Sequence, residues 1–205
     1  VSPDQWVTGR GLEAVSLRLR AVDRAEPGRV VAPGQVAWPG WSADSSTLLF
    51  ISHDPGNGCA LGLHNVASGH TKRLSVGIRN MLTPSMSPDG SRVAVSGYGE
   101  IADQALIFII DLETGRSAPG PPPTLGGAQL MPYWLNNDTL LFVELDEQGG
   151  GLLRWSLGQS QADPIAPLEL PASIFDAIHL HAGIADPVSP DGRYFTYYVP
   201  GRDRM

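Results

Sequence analysis

The sequence predicts an all-β fold of repeated four-stranded antiparallel units, and three observations carry the prediction. One hairpin phrase recurs along the chain. Each interval between copies is cut by Gly- and Asp-rich turns into short apolar runs of strand length. Helical periodicity is not sustained anywhere, a single turn near Ile174 to Ile178 being the one candidate.

The phrase is clearest in "MSPDGSRVAVSG" at 86–97 and "VSPDGRYFTYYV" at 188–199. Pro presets φ near −65° at the second turn position, Asp bonds the local backbone at the third, and Gly supplies positive φ on leaving. A large apolar residue ends the strand before the turn, and an apolar run begins the next. Aligned on that residue, copies start at Val1, Trp41, Met86, Trp134 and Val188, so the intervals run from 40 to 54 residues. Pro39, Pro84 and Pro132 stand two places before their copies, whereas the fifth has Asp186 there and Pro187 one place later. The Trp134 copy departs most, with Leu135-Asn136-Asn137 in place of Ser-Pro-Asp.

The elements follow in order. The start supplies "QWVTG", then "LEAVSLRLRAV" at 12–22 and "GRVVAP" at 28–33 as second, third and fourth strands. After each later hairpin comes a break, "HDPGNG" at 53–58 or "DEQGGG" at 146–151, with "GGG" at 149–151 read as a flexible hairpin tip. Third strands are expected at 60–66, 105–112 and 151–157, second turns at 67–70, 113–116 and 158–161, and a short fourth strand at 71–76. Four strands in about 45 residues is the size of one β-propeller blade. A blade alone cannot bury its faces, so blades stack, and the large residue before each turn is expected between neighbours.

The phrase P-x-[W/M]-S-P-D-G-x-x-[V/L/F], with unit ends such as "IIDLETGR" at 109–116, resembles the WD40-like (PD40) repeat of TolB-like β-propellers. Related repeats occur in the propeller domains of prolyl oligopeptidase and dipeptidyl-peptidase-like enzymes. The resemblance covers nearly the whole chain and is specific for the repeat rather than for a function. Residues 1–205 are expected to form a single propeller domain or fragment, with about four to five blades of a six- to eight-bladed ring. A small closed ring with an extra edge strand is the competing arrangement. The chain opens inside a repeat, as an excised or processed piece would.

Net charge is −7, and Lys72 is the only lysine, so a nucleic-acid partner reached through a basic surface is not expected. The longest apolar run, Ala105 to Ile110, is far short of the roughly 20 residues that span a bilayer, so no membrane insertion is expected within the chain. Cys59 is alone, which excludes an internal disulfide.

No catalytic or cofactor-binding pattern is present: there is no G-x-S-x-G elbow, phosphate loop, H-E-x-x-H or EF-hand spacing. His179 and His181 share a strand face and could meet one metal ion, with Asp176 or Asp186 adding a carboxylate. Two polar residues on a channel or loop face explain the pair equally simply. His53-Asp54 reads as a loop pair, and the five tryptophans read as blade packing. Trp38 and Tyr133, at the ends of first strands, are candidates for lining a central channel and, with His179 and His181, for touching a partner.

The resemblance implies a non-catalytic scaffold that binds a protein or peptide and works outside the cytoplasm, periplasmic or extracellular. The alternative is the substrate-gating propeller of a prolyl-oligopeptidase-like serine peptidase whose catalytic domain lies elsewhere. A sensor propeller holding a metal or small molecule at His179 and His181 is a further option.

Overall fold

A computed structural model describes residues 16–20, 28–54, 58–99, 104–146 and 149–168, with Tyr194 and Thr196. Among these every regular element is a strand. A two-stranded sheet of β1 (Leu17–Leu19) and β2 (Arg29–Ala32) comes first. Three four-stranded antiparallel blades follow. The first holds β3 (Gln35–Trp41), β4 (Thr47–Asp54), β5 (Gly58–Asn65) and β6 (Thr71–Leu74). The second holds β7 (Arg79–Met86), β8 (Arg92–Tyr98), β9 (Leu106–Asp111) and β10 (Ser117–Pro119). The third holds β11 (Ala128–Trp134), β12 (Thr139–Asp146), β13 (Gly149–Ser156) and β14 (Asp163–Leu168). Strand order within each blade is sequential, as a meander requires. This is the fold of a partial β-propeller.

Period-2 alternation sends each strand's residues to two different neighbours. On β8, Val93 and Val95 join Leu49, Ile51 and Leu61 of the first blade, while Ala94 joins Phe142, Leu140 and Trp134 of the third. Both clusters are closed to solvent, so the second blade is apolar on both faces. A third cluster gathers Leu141, Val143, Leu145 and Leu152 from the other side of the third blade. Gly62 exists for one close approach: a Cβ there would meet the Phe50 ring at 2.3 Å.

The expected repeat hairpins are present at 41, 86 and 134, whereas those at 1 and 188 lie outside the described residues. So does the candidate helical turn at Ile174 to Ile178. Two expectations are corrected. The glycines at 149–151 are not a flexible tip: they pair with Asp146, Leu145 and Glu144 as the start of β13. Trp41 is not buried between blades but 51% exposed, while Trp134 at the same repeat position is 3% exposed. The difference lies in the neighbour. Trp134 Nε1–H reaches back to the carbonyl of Ser85 on β7, at 3.1 Å. Ahead of the first blade, the described strands are only β1 and β2.

Other side chains also cross between sheets to a main-chain carbonyl. Lys72 Nζ donates to Leu112 O at 3.1 Å, Ser117 Oγ to Val76 O at 3.2 Å, Arg92 Nη1 to Asn137 O at 3.2 Å and Arg29 Nη2 to Val66 O at 2.8 Å.

Candidate functional site

The repeated hairpin builds one face of the blades. In the copies at Trp41 and Met86 the serine and the aspartate lock the turn with the same bonds. Ser42 Oγ donates to Asp44 Oδ1 at 2.6 Å and accepts from Thr47 N at 2.9 Å. Ser87 Oγ donates to Asp89 Oδ1 at 2.6 Å and accepts from Arg92 N at 3.0 Å. The Ser46 and Ser91 N–H groups add bonds to the same carboxylates. Bonding to Ser42 first, then to Ser46, lowers Asp44 from 3.8 to about 2. Ser87 and then Ser91 do the same for Asp89. Both carboxylates are therefore charged at any ordinary pH.

The Trp134 copy closes differently. Leu135 N donates to Thr139 O, a loop one residue shorter than the 42-to-47 and 87-to-92 closures. Asn136 Oδ1 takes the Asp138 N–H within the turn, at 2.8 Å. Asn137 Oδ1 turns backward and accepts from Asp89 N at 3.0 Å, joining the third turn to the second.

Between the first two turns lies a cleft of about 510 Å³, lined by Asp44, Asp89, His70 and Lys72 over Leu63 and Met86. Lys72 is tied to Leu112 O, so a cation already stands between the two carboxylate-bearing turns.

The inner strands are the second feature. β3, β7 and β11 each end their sheet, and β7 contacts both β3 and β11. Each carries a ladder irregularity at the same place, between Ala37 and Gly40, Leu82 and Ser85, and Leu130 and Tyr133. At its centre the residue before proline is left-handed: Trp38 at φ 56°, Thr83 at 44° and Met131 at 55°. A residue before proline ordinarily stays extended, so sequence alone gave no sign of these kinks. Each bulge breaks the pairing of the strand nearest its neighbours' inner edges.

Trp38 stands on β3 as expected, but its ring is half-buried and packs on the cluster between the first two blades. Tyr133 is half-buried on β11, beside the third cluster. The two are therefore on inner strands without sharing one surface. His179 and His181 lie outside the described residues, as do Asp176 and Asp186.

His53 is the next-to-last residue of β4, and its Nδ1 lies 3.1 Å from Cys59 Sγ on β5. Burial pushes the Cys59 thiol up, toward its protonated form. Sequence reading paired His53 with Asp54 and missed this contact, because the cross-strand register of β4 and β5 sets it. No group of three or more His, Cys, Asp or Glu side chains among the described residues is arranged to hold a metal ion. No helix among them is long and apolar enough to cross a membrane.

Comparisons with known proteins agree with this architecture. No protein-family model matches the sequence. Over 83 residues the chain is 31% identical to the Tol-Pal system protein TolB of Francisella tularensis subsp. tularensis (strain WY96-3418), covering 38% of this chain and 18% of that protein. The structure is similar to TolB from Acinetobacter baumannii, with a TM-score of 0.56 at 16% identity, covering 70% of this chain and 36% of that one. It is similar as well to a puromycin-hydrolyzing peptidase of Mycobacterium tuberculosis, with a TM-score of 0.58 at 16% identity over 75% of this chain and 25% of that one. The chain thus spans about a fifth of its curated relative and a quarter to a third of these structures, and what it shares with them is the β-propeller.

Proposed function

We propose that residues 1–205 belong to one β-propeller domain that binds a protein or peptide partner, in the manner of a TolB-like scaffold, outside the cytoplasm. The observation that carries this reading is the row of inner strands β3, β7 and β11, each the end of its sheet among the described residues and broken at the same X-Pro step. Broken edges offer main-chain donors and acceptors to an extended segment without offering a long flat strand for indiscriminate pairing. Trp38 and Tyr133 stand on these strands and are the proposed contact residues.

A photo-crosslinking amino acid at Tyr133, and separately at Trp38, tests the site in cells that express the natural gene. A discrete crosslinked polypeptide at either position, absent when the probe sits at exposed Ile165, supports it. Equal labelling at all three positions sinks it. Cell fractionation tests the compartment: recovery with cytoplasmic markers overturns that part.

The likeness to the peptidase favours a second reading, a propeller that filters substrate for a serine-peptidase domain elsewhere in a longer polypeptide. Labelling of the natural gene product by a fluorophosphonate would establish that reading and displace the first.

A further inference from the structure

His64 is a buried histidine with both ring nitrogens engaged, and it stands where the two-stranded sheet meets the first blade. It is 3% exposed on β5. Arg29 of β2 brings Nη2 to 3.3 Å from His64 Nε2, and Nδ1 lies 2.8 Å from Thr71 Oγ1 on β6. A guanidinium can only donate. His64 Nε2 must therefore carry the lone pair, and Nδ1–H donates to Thr71. The same Arg29 nitrogen donates to the Val66 carbonyl at 2.8 Å, in the turn that leaves β5. One NH₂ group thus bridges a titratable ring and a main-chain oxygen of the first blade.

We propose that Arg29 and His64 form a proton-operated latch that holds the β1–β2 sheet to the first complete blade. A proton added at Nε2 places N–H against N–H and one cation against another, so the bond cannot survive it. Among the described residues no carboxylate is paired with His64 or Arg29. From β6 the charged group nearest in sequence on the His64 face is Arg73, whose guanidinium is bound to Ser52 Oγ at 2.7 Å. From β4, Leu48 stands opposite His64 in the ladder, with Phe50 next on that face. Lys72 faces the other way, to Leu112 O. Burial first, and the Arg29 charge second, hold His64 below the ordinary histidine value.

The sign follows from linkage. The closed form resists protonation and the open form does not. The latch has full strength above about pH 6.5, the ordinary histidine value, and weakens as pH falls below it, by up to about tenfold per pH unit for one proton.

Hydrogen exchange on the full chain tests this between pH 8 and pH 5, with protection of Arg29–Ala32 measured against Arg92–Tyr98. The ratio is expected to fall at least tenfold over that range. In His64→Gln, which can accept from Arg29 and donate to Thr71 without titrating, the ratio is expected to stay near its wild-type pH 8 value throughout. A flat ratio in the wild type, or an undiminished fall in the variant, overturns the latch. If the variant does not fold, ¹⁵N NMR of the wild-type ring decides: Nε2 unprotonated at pH 8 supports the latch, and Nε2 protonated overturns it.

Discussion

Two tryptophans at one repeat position behave oppositely, and their substitution separates packing from position. Trp134 is enclosed and hydrogen-bonded to Ser85 O, while Trp41 is half exposed. Trp134→Phe keeps most of the apolar area and loses the N–H, so it should cost about 1 kcal/mol. Trp134→Ala should cost about 3–5 kcal/mol, and Trp41→Ala less than about 1 kcal/mol. Urea denaturation of the three variants checks the order; equal losses at 41 and 134 would contradict the structure. Asp44 and Asp89 set the acid limit of the turns. Their folded values are depressed from 3.8 to about 2, so their contribution is present above pH 3.8 and is lost as pH falls through about 2. The double variant Asp44→Asn with Asp89→Asn should therefore flatten stability against pH in that window, as acid titration by circular dichroism would read. These turns were legible in the sequence because the bonds of their serines and carboxylates are local, between residues no more than five apart. The exposure of Trp41 was not legible, because it depends on what the neighbouring sheet contributes and not on the residue itself.

At the scale of elements, the crossover from β10 to β11 is organised by one carboxylate. Glu144 is fully buried on β12 and accepts from Thr124 N, Leu125 N and Gly127 N at 3.1, 2.6 and 3.3 Å. Gln129 completes the anchorage: its Oε1 accepts from Ile107 N at 3.1 Å, and its Nε2 donates to Pro121 O at 3.1 Å. Glu144→Ala strands three N–H donors and should cost about 3 kcal/mol or more. Limited proteolysis should then cut within 120–127 before any other described segment; resistance there equal to the wild type would refute the anchoring role. Sequence shows a Pro- and Gly-rich stretch at 119–127 and nothing of its fastening, because Glu144 is 17 to 20 residues away from its partners. The same distance effect hid the left-handed Trp38, Thr83 and Met131: the prolines were visible, but the bulge that bends the residue before them is a property of the paired strands.

Across the whole molecule, burial is uneven, and stability should follow it. The second blade is covered on both faces by its neighbours, whereas β1 and β2 pair only with each other among the described residues. At pH 8, β8 amides should exchange slowest and β2 amides fastest among the strands described, by a factor of about 100 or more if the two open by processes about 3 kcal/mol apart. Hydrogen exchange with fragment mass analysis measures this directly, and similar protection in β2 and β8 would mean that the sheets open together. The turns at 41, 86 and 134, which divide the three described blades, were readable from their phrases, because turn chemistry and period are local properties. Which blade ends up best covered is a matter of stacking, which no single repeat encodes.

Lys72, Ser117 and Trp134 reach from one sheet to the next to a peptide oxygen, and Arg29 and Arg92 each place one of their bonds on such an atom. Any amino acid supplies that atom. At these contacts the receiving residue can change its side chain and keep the bond. Such a joint tolerates sequence drift on one side without compensating change on the other, and it lets a repeat be copied, lost or recombined as a self-contained part. Weak identity alongside a common architecture is the expected outcome of this mode of fastening.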